Sequence, residues 1–462
     1  KSIARIAELL DRGIPVKKIR DVKGTAYLCK TDDPVNFELD STFDYNILKE
    51  SKSEYARAFG IQYKNQDSIS GRALAETYGD KMLVQNPPMP PLEREELDEV
   101  YALPFMRNYH PIYEKDGGVP AIEEVKFSIT HNRGCFGGCN FCALAFHQGR
   151  NVRSRSIESV VNEAKIISEM PDFKGYIHDI GGPTANFRKP ACTRQLTHGV
   201  CPDRKCLTPK PCPNLDVDHS EYIELLSAVE QLPKIKKVFI RSGIRYDYML
   251  CDKDDSFIKK LVRDHVSGQL KVAPEHCSDA VLSLMGKPNI DVYDRFKEKY
   301  FTLSSSFGLK QFLVPYLMSS HPGSTLKDAV ALALYLNKTG TAPEQVQDFY
   351  PTPGTASTVM FYTGINPLTG KKVYVADNYH EKQMQRALLQ YKRPDNADLV
   401  REALIKCGRS DLIGYGADCL IKPKKNAQPC PAPLSVTQKE KSRKQRRTAS
   451  KTGAIKQPHR QF

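Results

Sequence analysis

Three cysteines, Cys135, Cys139 and Cys142, stand in the stretch "HNRGCFGGCNFCALAFHQGR" with the spacing C-x3-C-x2-C. Three thiolates in one short loop are one ligand short of a closed structural zinc site. They suit a cubane 4Fe–4S cluster, in which three protein ligands leave one iron free to chelate a substrate or cofactor. Gly134, Gly137 and Gly138 let the loop wrap tightly where side chains would obstruct it. The alternative is a zinc loop that borrows a fourth ligand from His131 or His147, a spacing zinc fingers rarely use.

A second group follows in "CTRQLTHGVCPDRKCLTPKPC", with Cys192, Cys201, Cys206 and Cys212. Four thiols in an irregular, proline-rich loop could hold zinc or an auxiliary iron–sulfur cluster. With few apolar residues in the loop, a metal would supply its order. The four sulfurs are expected to converge on one point, with metal bonds of about 2.3 Å. The spacing does not choose between the two metals, nor exclude that the loop binds none. Seven of the thirteen cysteines fall between Cys135 and Cys212, and such grouping points to metal before disulfides. Cys29, Cys251, Cys277, Cys407, Cys419 and Cys430 are scattered and read as ordinary thiols.

The elements that must position these groups show in the hydrophobic rhythm. Apolar β-type runs at 125–130, 176–180, 237–240, 270–273, 311–316 and 346–350 alternate with amphipathic helical runs. The helical runs are 157–170, with Ser156 as N-cap, then 221–230, 256–265, 291–301 and 326–337. Such alternation implies parallel βαβ units, and thus an α/β fold whose core is a partial parallel (β/α)6 barrel. Ligands of such folds bind beyond the C-terminal strand ends. That singles out Gly181, Gly182 and Pro183 after the second strand, Arg241 and Ser242 after the third, and Glu275 and His276 after the fourth. The polar ones suit contact with a ribose or carboxylate, although each would also serve as an ordinary structural partner. Residues 1–120 read as an accessory region partly extended over the main domain, with helical stretches at 2–21, 45–59, 73–78 and 93–101 and a strand at 25–29.

Composition narrows the class. With 462 residues, 40% of them hydrophobic, the chain is long enough for a large core with appended pieces. No apolar run reaches the roughly 18 residues that cross a bilayer. The first thirty residues lack the apolar centre of a secretory signal, so a cytoplasmic protein without membrane contact is expected. The chain opens on Lys1 rather than Met, so a fragment or a processed product is expected. The net charge of +14 is mostly local: residues 423–462 hold eleven Lys or Arg and one acid, Glu440. This tail is too poor in large apolar residues to bury a core and reads as disordered and solubilising, with weak RNA contact as the alternative.

The cysteine spacing, Phe141 before the third cysteine, and the position after the first strand resemble the radical S-adenosylmethionine (radical SAM) superfamily. "IRDVKGTAYL", "GGPTANF", "IRSGIRYD", "KVAPEH", "PYLMSSHPGST", "VQDFYPTPGTAST", "FYTGINPL" and "ALLQYKRP" resemble, more narrowly, the YgiQ-type or UPF0313 proteins, from about residue 3 to 421. The resemblance implies an enzyme whose 4Fe–4S cluster on Cys135, Cys139 and Cys142 binds S-adenosylmethionine through its open iron. An electron then cleaves the C5′–S bond to give a 5′-deoxyadenosyl radical. It implies that the backbone of Gly181 and Gly182 meets the SAM amino group; Pro183 replaces an acid that many relatives carry. It assigns the four cysteines of the second group to the family pattern, and places a Pro-Gly-Thr segment after the sixth strand near the adenine. It implies a one-electron donor such as flavodoxin or ferredoxin, a substrate not yet known, and an upstream Rossmann-like module, which alone would bring cobalamin. The domains follow as 1–120 accessory, 121–350 radical SAM core, 351–422 C-terminal helical extension and 423–462 tail. The rival class is a metal-stabilised, RNA-associated binding protein, suggested by the second cysteine group and the tail.

Overall fold

The structure is a computed structural model and describes residues 1–344 and 346–424; most of the basic tail lies outside the described residues. The fold is mixed α/β. Its N-terminal part opens with the helix Ser2–Asp11 and forms a four-stranded sheet in the order Ala26–Lys30, Lys81–Gln85, Ala73–Tyr78, Leu39–Ser41. The first two pairings are antiparallel and the last is parallel. Residues 73–78, expected to be helical, are therefore a strand. "ALAE" favours helix, but Gly79 at φ 65° with Asp80 makes a two-residue reversal that pairs Tyr78 with Lys81. The alternation then buries Ala73, Ala75, Met82 and Val84 on one face with Cys29. The neighbouring helix Lys52–Lys64 is capped by Ser51 and packs Ala56 and Phe59 against Ala356 and Val359 of the C-terminal part.

All six expected core strands are present: three are shorter than the apolar runs that announced them, the run 176–180 divides into Tyr176–Ile177 and Asp179–Gly181, and Gln269–Glu275 and Phe312–Ser319 are longer than expected. Ser128–Thr130 pairs in parallel with Asp179–Gly181, and Tyr176–Ile177 with Lys237–Val238. Gln269–Glu275 pairs in parallel with Phe312–Ser319, which pairs on with Gln347–Asp348. The first strand begins late because the helix Ile122–Val125 occupies the start of its run. One antiparallel contact, Asn132–Arg133 with Arg153–Ser154, closes the base of the first cysteine loop. Among the described residues no ladder joins Lys237–Val238 to Gln269–Glu275. The helix Ser256–Lys260 instead widens into a π-helical turn, Leu261–His265. Buried His265 stands on the open side of Lys237–Val238: its Nδ1 donates to the Val238 carbonyl at 2.8 Å and its own carbonyl accepts from Ile240 N at 3.1 Å.

The intervening helices lie where their apolar periods put them. Ile157–Ser168 is capped by Ser156, whose hydroxyl accepts from Ser159 N, and it buries Val160, Ala164 and Ile167 at helical spacing. These residues, with Leu225, Leu226 and Val229 of Ser220–Glu230, pack onto Ile129, Ile177, Ile180 and Val238 of the strands. Each such side chain contributes about 1.5–3 kcal/mol on burial. The helix Leu326–Lys338 begins with a capping box between Thr325 and Asp328 and turns Leu332 and Leu336 toward Leu388 and Leu404 of the helices Tyr379–Leu389 and Ala397–Lys406. No helix among the described residues is long and apolar enough to cross a membrane.

One buried cation ties the first strand to its crossover helix. Arg155, 1% exposed, donates to the Thr130 carbonyl at 3.0 Å, to the Ser159 hydroxyl and to the carboxylate of Glu163, which also receives Arg107. Removing one member leaves an uncompensated buried charge. Arg155→Ala is therefore expected to lower the unfolding free energy by about 3–5 kcal/mol in urea titrations. Arg57→Ala, which breaks an exposed pair with Glu54, should change it by less than about 1 kcal/mol.

Candidate functional site

The first cysteine loop leaves the strand Ser128–Thr130, and its start is tied to its end by one backbone and one side-chain bond. Cys135 N donates to the Gly149 carbonyl at 3.0 Å, and Gly134 N to Gln148 Oε1 at 3.2 Å. Gly134 has φ 82°, and a Cβ there would meet the Asn151 carbonyl oxygen at 2.3 Å, so only glycine fits. Farther along, Asn140 N donates to the Met285 carbonyl at 2.8 Å, and the Asn140 carbonyl accepts from Ser357 N at 2.9 Å. The loop is thus clasped by segments more than a hundred residues away in sequence.

The three thiols share one neighbourhood. Cys135 Sγ lies 3.4 Å from Thr184 Oγ1, and Cys139 Sγ accepts from Arg245 Nη1 at 3.3 Å. Burial pushes the Cys135 thiol up, and pushes Cys142 up to about 11, with Cys139 and Cys135 adding to it and Lys287 opposing. His131 does not complete a zinc set. Its Nε2 donates to the Ala185 carbonyl at 2.8 Å and its Nδ1 accepts from Arg188 at 3.3 Å, so both ring nitrogens are committed. Burial and then Arg188 bring its pKa down to about 3. His147 is exposed at the end of the short helix Leu144–His147.

Gly181 ends its strand opposite Thr130, and its carbonyl accepts from His131 N at 2.9 Å. A Cβ on Gly181 would lie 2.1 Å from Ser242 Oγ, and one on Gly182 would lie 1.7 Å from Asn132 Oδ1. The two glycines are thus required by close approach, and Pro183 follows them half-buried. Ser242 is a tether: its N donates to Asp179 at 3.0 Å, as Arg241 N does at 2.7 Å, and its hydroxyl donates to the same carboxylate. The side chain of Arg241 is exposed. Glu275 is buried with φ 69°, an uncommon conformation for a residue with a Cβ. Burial raises its pKa, against the charges of Lys287 and Arg245, and its carboxylate makes no hydrogen bond among the described residues. His276 is held near neutral by burial, its pKa lowered to about 4, and its Nδ1 accepts from Ser278 N.

Four side chains around the cysteine loop escaped the sequence reading. Arg245, not Arg241, touches a cysteine, and Asp247 receives its Nε at 2.8 Å and Nη2 at 2.5 Å. Both stand in "IRSGIRYD", but the chain runs four residues past Arg241 before it enters the helix Tyr246–Met249. Asn132 spans the strand ends, donating to the carbonyls of Thr184 at 3.1 Å and Phe187 at 2.6 Å. Lys205 reaches in from the second cysteine loop and donates to the Gly138 carbonyl at 2.5 Å and to Asn140 Oδ1 at 2.6 Å. Its enclosed ammonium is lowered to about pKa 8 by burial, with Cys139 opposing the shift.

The second cysteine loop is less bare than its composition suggested. Ala191 and Leu207 are buried with Phe136, Phe187, Val152 and Tyr248, in a cluster that Cys135 and Cys206 border. The Cys206 thiol is pushed up to about 11 by burial; Arg150 opposes, and Cys192, Cys201 and Cys212 add to it. The four thiols are therefore neighbours, but they do not converge on one point: among the described residues no three His, Cys, Asp or Glu side chains, in this loop or in the first, are gathered around a single metal-ion position. Beside this loop lies a cavity of about 630 Å³, bounded by the N-terminal part (Tyr63, Asn65, Asn86), by Gln148 and Arg150, and by Cys201.

Comparison with known proteins defines the class first. Residues 1–128 match the family described as Radical SAM N-terminal, and residues 344–461 match Domain of unknown function (DUF3362). A UPF0313 protein of Clostridium botulinum strain 657 is 56% identical over 421 residues, 91% of this chain and 66% of that protein. A UPF0313 protein of Clostridium perfringens strain 13 is 56% identical over 424 residues, 92% of this chain and 64% of that protein. The chain belongs to the UPF0313 family, and spans about two thirds of the length of these relatives. Among solved structures, the radical S-adenosylmethionine methyltransferase TsrM from Kitasatospora setae is 12% identical, with TM-score 0.34 over 60% of this chain and 61% of that one. The cobalamin-dependent S-adenosylmethionine radical enzyme OxsB with aqua-cobalamin bound is 10% identical, with TM-score 0.40 over 74% and 52%. Likeness at this level carries no argument about the site.

The close approach at Gly182 generates a prediction. Gly182→Ala should force the strand-end loop away from Asn132 and lower stability by about 1–3 kcal/mol, as overpacking does. Gly243→Ala, whose Cβ would meet nothing within 4 Å, should be silent in the same thermal denaturation. Equal stability of the two variants would refute the contact.

Proposed function

We propose that this chain is a radical SAM enzyme that holds one 4Fe–4S cluster on Cys135, Cys139 and Cys142 and cleaves S-adenosylmethionine reductively. The observation that supports the reading is three half-buried cysteines at C-x3-C-x2-C spacing on one glycine-rich loop, which leaves its strand beside Gly181 and Gly182, where parallel strands end. The donor set fits: it has three sulfurs, a histidine neighbour already committed elsewhere, and glycines where a Cβ would clash. When bound, the cluster supplies one electron to the sulfonium of S-adenosylmethionine, breaking the C5′–S bond into methionine and a 5′-deoxyadenosyl radical.

This chain's own residues bind, orient and exclude water. Because the Gly181 carbonyl already accepts from His131 N, the carbonyls of Gly182 and Pro183 are those left for the amino group of S-adenosylmethionine. Glu275, with an uncommitted carboxylate, suits a ribose hydroxyl, and Arg241 a carboxylate. Ser242 acts through Asp179, holding the loop that carries Arg241. Phe136, Phe187 and Tyr248 form a dry wall next to Cys135. In this reading residues 121–350 form an incomplete parallel barrel, 1–120 an accessory region, 351–422 a helical extension and 423–462 a tail. The protein is cytoplasmic and takes its electron from flavodoxin or ferredoxin. Cobalamin enters only through a further domain of the longer relatives.

Two measurements test the reading. Reconstituted full-length protein reduced with dithionite should form 5′-deoxyadenosine from S-adenosylmethionine, and each of Cys135→Ala, Cys139→Ala and Cys142→Ala should form none while keeping its fold. Absence of product from the wild type with its substrate present would overturn the assignment. The second cysteine group is tested by metal analysis of the triple variant Cys135/Cys139/Cys142→Ala: retained iron means an auxiliary cluster there, retained zinc a structural site, and a folded protein without metal a loop that binds none.

A further inference from the structure

We propose that Arg245 and Asp247 form an oriented buried dipole that sets the reduction potential of the cluster through a hydrogen bond to Cys139. The inference rests on the proposed 4Fe–4S assignment and assigns a positioning role to two residues outside the ligand set. Arg245 Nη1 donates to Cys139 Sγ at 3.3 Å. The opposite edge of the guanidinium, Nε and Nη2, is gripped by both carboxylate oxygens of Asp247 at 2.8 and 2.5 Å. The backbone of Arg245 is gripped in turn by Asn186, which accepts from Arg245 N at 2.9 Å and donates to the Arg245 carbonyl at 3.2 Å. Gly137 leaves the room: a Cβ there would meet Arg245 Nη1 at 2.5 Å. Arg245, Asp247 and Asn186 are all at least nine-tenths buried. Such a multiply fixed cation in a dry place is not a mobile surface charge.

The pair is close to neutral overall, so its influence comes from orientation: the positive end faces Cys139 and the negative end faces away. A donor on a ligating sulfur withdraws electron density from it and stabilises the reduced state. In low dielectric both the hydrogen bond and the field act strongly. One-electron reduction of the cluster, with dithionite as the reductant, should therefore be easier with the pair than without it. Removing only the carboxylate should make it easier still, because the cation then acts uncompensated.

The test is an EPR-monitored redox titration of reconstituted protein at matched iron content. Arg245→Leu combined with Asp247→Leu should shift the midpoint potential to a more negative value, and Asp247→Asn alone should shift it to a more positive one. Opposite signs from two substitutions at one spot are not what general loosening of the fold produces. An unchanged potential in either variant, or shifts of one sign in both, would overturn the inference while leaving the cluster assignment standing. Should the double variant fail to hold iron, Asp247→Asn decides alone. A wild type that assembles no reducible cluster on Cys135, Cys139 and Cys142 would refute the assignment and this inference together.

Discussion

A single rung of parallel pairing organises the site. Thr130 lies opposite Gly181, and the next residue, His131, donates its N–H to the Gly181 carbonyl. The cysteine loop begins just beyond one partner and the Gly-Gly-Pro loop just beyond the other. Parallel strands point their C-terminal ends the same way, so these loops must emerge side by side. Asn132 locks the arrangement with two bonds to the carbonyls of Thr184 and Phe187, and its side-chain Oδ1 lies where the Cβ that Gly182 lacks would intrude. Cys135 then meets Thr184 without any long-range search.

Around this rung the fold buries more charge than a structural core needs. Arg155 with Glu163, Arg188 with Glu221, and Arg245 with Asp247 each place a cation under the strand ends and compensate it with a carboxylate. Replacing such pairs with hydrocarbon is often neutral or stabilising, so stability alone is a weak reason for their presence. They share a second effect: each arginine also bonds backbone, a histidine or a thiol of the site, through the Thr130 carbonyl, His131 Nδ1 and Cys139 Sγ. Lys205 extends the pattern from the second cysteine loop, filling the bend at Gly138 and Asn140. The two cysteine loops are therefore mechanically one unit, even though the sequence presents them as separate motifs.

The sequence was informative where chemistry and period are local. The C-x3-C-x2-C spacing, the glycines and the strand–helix alternation are read within windows of a few residues, and all six core strands lie at the places where apolar runs stand. What was not legible depended on long-range partners. Nothing near Arg245 distinguishes it from Arg241 until the loop after the third strand is folded over Cys139. Residues 73–78 carry the composition of a helix, and only pairing with 81–85 across Gly79 makes them a strand. The second cysteine loop looked too polar to hold itself, because the apolar surface that anchors Leu207 is supplied by Phe136 and Phe187 from other loops.

The central claim is that three cysteines hold a cluster with one iron open to S-adenosylmethionine. The most direct measurement is the EPR spectrum of the dithionite-reduced, reconstituted protein before and after S-adenosylmethionine is added. The account predicts a reduced 4Fe–4S signal that depends on Cys135, Cys139 and Cys142 and changes its g-values when S-adenosylmethionine binds the open iron. A reduced signal that survives loss of those cysteines, or one that S-adenosylmethionine leaves untouched, would contradict it.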